Sequence, residues 1–402
     1  MPRIRLDRRS AGVLSLVLAT AASAGERPWD ERALPALDRA RMVVEQMTKE
    51  EKLSLLHGVL GAPWGGERRP AGAIGSAGWA PGVPRLGIPP LQETDAELGV
   101  ANPGYIRTGD VATAMPSALA LASSFDPDLA RRQGEAVGAE ARAKGFSVLL
   151  GGAANLIRDP RGGRNFEYFS EDPLLTGVMA GSAIAGVQSR HLIATTKHFA
   201  LNAQETDRVV LDARIDPAAA RESDLLAFEI AIERGRPASV MCAYNQVDGA
   251  YACENPWLLD SVLKTDWRYP GFVMSDWGAV HSTVASTLAG LDQESGEQLD
   301  TENSFGAPLA TALATGLVPP SRIDDMARRI VGSIFASGVY DDPPAPGPID
   351  GAASDRTALQ VAEEGVVLLK NEGILPLSED TKRVAVIGAH SDKGVLSGGG
   401  SS

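Results

Sequence analysis

At 402 residues the chain exceeds one ordinary domain, with room for a large barrel and part of a second unit. Its 44% apolar and 22% charged content is the balance of a globular protein. The net charge of −13, with no Lys/Arg cluster interleaved with aromatics after residue 10, argues against a nucleic-acid partner.

The amino terminus reads as a secretory signal peptide. Arg3, Arg5, Arg8 and Arg9 precede an apolar run from Ala11 to Ala22, and Ala22-Ser23-Ala24 offers a cleavage site. The run is too short for a bilayer span, and no later segment is long and apolar enough to cross a membrane. Cleavage after residue 24 removes four Arg and one Asp, deepening the charge from −13 to −16. A secreted or periplasmic location is expected.

Further along, Asp126-Pro127, Asp172-Pro173, Asp216-Pro217 and Asn255-Pro256 each open a segment with helical apolar spacing. Asp or Asn caps the first free amides, and Pro at the first helical position sacrifices no hydrogen bond. Gly145 and Gly235 stand where left-handed helix ends are expected. Between the helices lie five short apolar runs: IPPLQETD (88–95), FSVLLGG (146–152), LIATTKHF (192–199), PASVMCAY (237–244) and GFVMSD (271–276). Repeated strand–helix–strand order implies a parallel sheet with crossover helices. The fold class is α/β: a (β/α)8 TIM-like barrel over residues 25–340. An open doubly wound sheet is the alternative, but no G-x-G-x-x-G follows the first strand.

The two cysteines, Cys242 and Cys253, are close enough in sequence for a local disulfide, and equally compatible with two buried thiols. After Tyr340 a Pro/Gly/Ala/Asp linker occupies 341–355. The segment from 356 to 370 then reads as a helix and RVAVIGA (383–389) as a buried strand. One helix and one strand cannot bury a core, so residues 356–402 read as the beginning of a truncated α/β sandwich domain.

The chemistry collects at the strand ends, which in a barrel converge on one bowl. They supply Asp95, the loop from Arg158 to Glu167, then Lys197 and His198, Tyr244 and Asn245, and finally Asp276 and Trp277. Singly, these are a helix cap, solvated ends and a half-buried ring. Together they form a site for a neutral polyhydroxylated ligand, with charged groups on its hydroxyls and an aromatic wall against its face. Adjacent residues in a regular strand face opposite ways, so Lys197 and His198 share one ligand only if the backbone departs from regular geometry there.

Four stretches, RDPRGGRNFEYFSEDP (158–173), KHFALNAQETDR (197–208), MCAYNQVDG (241–249) and GFVMSDWGAV (271–280), together resemble family 3 of the glycoside hydrolases. The resemblance implies exo-acting, retaining hydrolysis of β-glycosides, most often β-glucosides, with no cofactor or metal. It matches Asp276 to the nucleophile, and Asp95, Arg164, Lys197, His198 and Tyr244 to residues holding the terminal sugar. Arg208 and Trp277 are secondary matches. The chain departs from the family's D-G-P-x-G-x-R pattern, having DAELGVA with Ala101 in place of the arginine. The family's acid/base is a glutamate on the second domain, and nothing up to residue 402 matches it. Glu167 and Glu205 read instead as partners of Arg164 and Arg208. A fragment of low solubility and low activity is therefore expected. Rival readings are a Schiff-base aldolase using Lys197, a β-N-acetylhexosaminidase of the same family, and a carbohydrate-binding or inactive remnant. Glucose or xylose specificity and the oligomeric state are left open.

Overall fold

The computed structural model describes residues 27–63, 65 and 68–396. The signal-peptide reading lies outside these residues.

Seven strands form one curled sheet in chain order: β1 (Val59–Leu60), β2 (Gly78–Ala80), β3 (Leu91–Asp95), β4 (Val148–Ala153), β5 (Ile193–Phe199), β6 (Ser239–Cys242) and β7 (Phe272–Ser275). From β3 to β7 every pairing is parallel. The five expected strands are all present. The barrel is not uniformly parallel, however, because β2 runs antiparallel to both β1 and β3. An eighth segment closes the ring. Gln293 donates to Val273 (3.0 Å) and accepts from Ser275 (2.9 Å), while Glu294 donates to Leu56 (2.9 Å) and accepts from Gly58 (2.8 Å).

The crossovers are α2 (Pro127–Ala143), α3 (Pro173–Gln188), α4 (Asp224–Gly235) and α5 (Trp257–Asp266). Before them α1 (Ala36–Gln46), and after them α6 (Pro320–Ala336), pack together across the closure. All four Asp/Asn-Pro starts are capped as expected. Asp126 accepts from the amides of Asp128 and Leu129, Asp172 from Leu175, Asp216 from Ala218 and Ala219, and Asn255 from Leu258. The last of these opens α5, which is wound wide, as a π-helix. Gly145 is left-handed at φ +90°. Gly235 is not: Arg236 takes that conformation. Gly235 is a close-packing residue instead, since a Cβ there would lie 2.7 Å from both the Gly181 carbonyl oxygen and Ile184 Cγ2.

The closing segment is anchored by a buried ion cluster. The Asp292 carboxylate, fully buried, takes Lys264 Nζ at 2.8 Å, Arg322 Nη2 at 2.7 Å and the Val273 amide at 2.8 Å. It ties α5 and α6 to the strand that seals the barrel. Cys242 at the end of β6 is bridged to Cys253, pinning the loop that follows β6.

Two boundaries near the C-terminus differ from the sequence reading. The helix is α7 (Gly351–Glu364), earlier than 356–370, with Asp350 as its cap. Its Val361 is buried, and it packs on α2, so it belongs to the barrel's outer layer. Residues 383–389 form no strand and are exposed, because no neighbouring strand offers amides and carbonyls to pair with.

Candidate active site

Asp95 ends β3 and points into the bowl. Across from it, Lys197 on β5 is 1% exposed, with Nζ 3.9 Å from Asp95 Oδ1 and 3.3 Å from Glu167 Oε2. Burial opposes its charge, but Glu167, Asp95 and Glu97 outweigh that and raise the ammonium pKa. A Schiff-base lysine needs a neutral amine. The aldolase reading fails on this point.

Glu167 closes a short 3-10 turn, Asn165–Glu167, in the loop after β4. It receives Arg164 as a fork, Nε to Oε1 at 2.7 Å and Nη2 to Oε2 at 3.0 Å. Lys197 and Arg164 together overcome the burial penalty and keep the Glu167 carboxyl below its ordinary range. The structural-partner reading of Glu167 holds, and it is the hub of two cations. Arg164 faces the site, whereas Arg158 turns away to Asp224.

His198 accepts from Arg164 Nη2 at 3.0 Å through Nε2, which puts the imidazole proton on Nδ1. Burial first, then Arg164, Lys197 and Arg208, holds the ring well below its usual pKa. It is neutral. Asn155, 2% exposed, clamps the His198 backbone, accepting from its amide at 2.7 Å and donating to its carbonyl at 2.9 Å. Lys197 and His198 do reach one site. The pairing registers shift between Leu150 and Ala153 on one side and between Thr196 and Phe199 on the other, so the strand leaves regular alternation there.

Asp276 lies just past β7, 6% exposed. Its Oδ1 accepts from the Trp277 amide at 2.8 Å, and the Tyr244 hydroxyl beside the carboxylate favours its charged form. Burial raises its pKa, while Arg164, the Trp277 amide and Tyr244 pull it down. Oδ2 has no hydrogen-bond partner among the described residues, and His198 Nε2 stands 3.7 Å away, too far to bond. Arg208 stacks its guanidinium 4.2 Å over the Tyr244 ring and pairs with Glu205 at 2.7 Å. Trp277 donates Nε1 to the Ala77 carbonyl at 3.1 Å and leaves its ring half-buried. Since β7 ends at Ser275, strand alternation does not separate Asp276 from Trp277.

All eight residues singled out in the sequence thus gather around one centre. Three others were not singled out: Asn155, Glu93 and Glu97. Glu97 accepts from the amides of Gly152 (3.1 Å) and Ala153 (3.3 Å), opposite Lys197. Burial pushes its carboxyl, and that of Asp95, up to about 7. The departure from the D-G-P pattern was the available signal, because it put an acid two residues from Asp95.

Residues 80–332 match the glycosyl hydrolase family 3 N terminal domain, and residues 366–402 match its C-terminal domain. Thermostable beta-glucosidase B of Acetivibrio thermocellus is 39% identical over 90% of this chain and 46% of its own. The exo-alpha-(1->6)-L-arabinopyranosidase of Bifidobacterium longum is 37% identical over 89% of this chain and 47% of its own. Beta-glucosidase 3B of Thermotoga neapolitana, solved with α-D-glucose, superposes with a TM-score of 0.80 at 36% identity, covering 85% of this chain and 48% of that one. The chain spans a little under half the length of these relatives. Motifs, barrel and relatives agree: the chain belongs to glycosyl hydrolase family 3.

Proposed function

We propose that the protein is an exo-acting retaining β-glycosidase, with β-glucosides as its main substrates. The carrying observation is Asp276 Oδ2, an unpartnered carboxylate oxygen among donors that hold the rest of the group in place. Asp276 attacks the anomeric carbon and forms a glycosyl-aspartate, which water then cleaves. Asp95, Arg164, Lys197 and His198 bind hydroxyls of the non-reducing terminal sugar. Tyr244, steadied by Arg208, orients Asp276, and Trp277 forms the aromatic wall. Glu167 is held ionised by two cations, so it does not donate the leaving-group proton, and Glu205 is engaged with Arg208. Export from the cytoplasm fits the amino-terminal sequence and the Cys242–Cys253 bridge.

The arabinopyranosidase relative favours a second reading, action on a pentopyranoside lacking the hydroxymethyl group. Nitrophenyl β-D-glucoside, β-D-xyloside and α-L-arabinopyranoside, assayed side by side with the purified protein, decide between them. Hydrolysis of none of the three refutes the glycosidase reading. Cellobiose turned over as fast as the nitrophenyl glucoside shows that the proton donor is already in place in the barrel.

A further inference from the structure

We propose that Glu93 is a further sugar ligand, whose carboxyl forms the floor of the glycone pocket and hydrogen-bonds one hydroxyl of the bound sugar. The proposal rests on the glycosidase reading above and adds a residue to that site.

Glu93 and Asp95 lie two apart on β3 and share a face, while Thr94 between them turns away to Ser76 Oγ at 2.8 Å. Glu93 therefore sits one pleat below Asp95, toward the barrel interior. Directly across the register is Gly78 of β2. A Cβ on Gly78 would lie 2.0 Å from Glu93 Oε2 and 3.1 Å from Trp277 Cζ2. The missing side chain makes the recess that the carboxyl fills, and it brings that carboxyl beside the indole that flanks Asp276.

The residue is 2% exposed, comparable with Lys197 and His198 at 1% each. Yet no hydrogen bond from the described residues reaches its carboxyl, whereas Glu167 and Glu97 are each held by two donors. A carboxyl this deep in the barrel is costly, and a leucine would fill the same space without that cost. A ligand hydroxyl removes the cost. Burial, reinforced by Asp95, pushes the Glu93 carboxyl up to about 8, so at neutral pH it offers one donor and one acceptor to a hydroxyl. The facing charged group is Asp95 on its own strand. β2 presents Gly78 and the loop after β7 presents Trp277, neither of which titrates. Elsewhere in the bowl the titratable and charged groups are Glu97, Arg164, Glu167, Lys197, His198 and Asp276.

The test compares wild type, Glu93→Gln and Glu93→Ala in kcat/KM for nitrophenyl β-D-glucoside from about pH 5 to about pH 9, with D-glucose binding followed by calorimetry. Wild type should show an alkaline limb near pH 8 that Glu93→Gln abolishes, because an amide donates at every pH. Glu93→Ala should raise KM and the glucose dissociation constant about three- to tenfold with kcat little changed. Among monodeoxy glucosides, one should lose nothing further in Glu93→Ala. An alkaline limb that persists in Glu93→Gln, or an equal penalty in Glu93→Ala for every deoxy sugar, overturns the proposal and leaves Glu93 a packing residue. Failure of wild type to hydrolyse any glycoside refutes the glycosidase reading instead, and the glucose isotherms still decide Glu93.

Discussion

Replacing Lys197 by Met should disable the site through its neighbours as well as through the lost contact. The ammonium lies 3.9 Å from Asp95 and 3.3 Å from Glu167 in a fully buried position. At about 4 Å and an effective dielectric of about 20, each such attraction amounts to about 4 kcal/mol. Asp95 already stands at about 7 with the lysine present. Loss of about 4 kcal/mol corresponds to roughly three pH units, which leaves Asp95 neutral across the working range. Glu97, which Lys197 also pulls down from its burial-raised value, follows in the same direction. A contact of that size is worth up to about 10³-fold in kcat/KM, and about 10²–10³ is expected after relaxation. The assay is kcat/KM on nitrophenyl β-D-glucoside as a function of pH, with thermal unfolding as a control on folding. An acid whose pKa rises needs higher pH to ionise, so any remaining activity should have its acid limb displaced upward. A loss below about tenfold, with the acid limb unmoved, would refute the claim that Lys197 keeps Asp95 charged.

Asp276→Ala should lower turnover by several orders of magnitude at unchanged folding, and a 2-deoxy-2-fluoro-glycoside should label the peptide that carries Asp276; label on Glu167 or Asp95 would displace it as nucleophile. Asp292→Ala strands Lys264 as a buried cation without a carboxylate, while Arg322 keeps Asp325. It should cost about 3–5 kcal/mol in urea unfolding, and a change under about 1 kcal/mol would contradict the role of that cluster in closing the barrel. Asp95 and Glu97 (each raised to about 7) and Glu93 (raised to about 8) bind protons more tightly folded than unfolded. Their contribution is full below the unfolded carboxyl range and is lost as pH rises through about 7 to 8, so Tm should fall from about pH 5 to about pH 9. A Tm that climbs over that interval would show these carboxyls to be solvated.

Features that depend on neighbours in sequence were legible. Asp126, Asp172, Asp216 and Asn255 each bond amides two or three residues ahead, so a dipeptide suffices to mark the helix start. The five apolar runs became strands because burial on both faces writes a continuous apolar stretch. Residues 292–295, Asp-Gln-Glu-Ser, show no such run although they seal the barrel. The segment is held at long range instead, Asp292 by Lys264 and Arg322, and Gln293 by donating Nε2 to the Leu55 carbonyl. The run at 383–389 fails for the converse reason: strand pairing requires a second chain segment, and apolar composition alone does not supply it.

The site was legible as a list of residues at strand ends, and illegible as a charge balance. Glu167, Asp95 and Glu93 are all buried carboxyls, yet the first is held down by two cations while the other two are pushed up to about 7 and about 8. What separates them is which cation each meets, and that is decided by the ends of β4 and β5 together with the Arg164 loop. The resulting bowl is short of positive charge. Lys197 and Arg164 are committed to Glu167, and Arg164 in turn keeps His198 neutral by donating to Nε2. A protonated His198 at 3.7 Å would draw charge from the unpartnered Oδ2 of Asp276. With the ring neutral, that oxygen is compensated by Arg164 and, under the proposed mechanism, by the positive charge that develops on the sugar as its glycosidic bond breaks. On that mechanism, a carboxylate oxygen with no hydrogen bond in the free site interacts more strongly with the transition state than with the neutral glycoside.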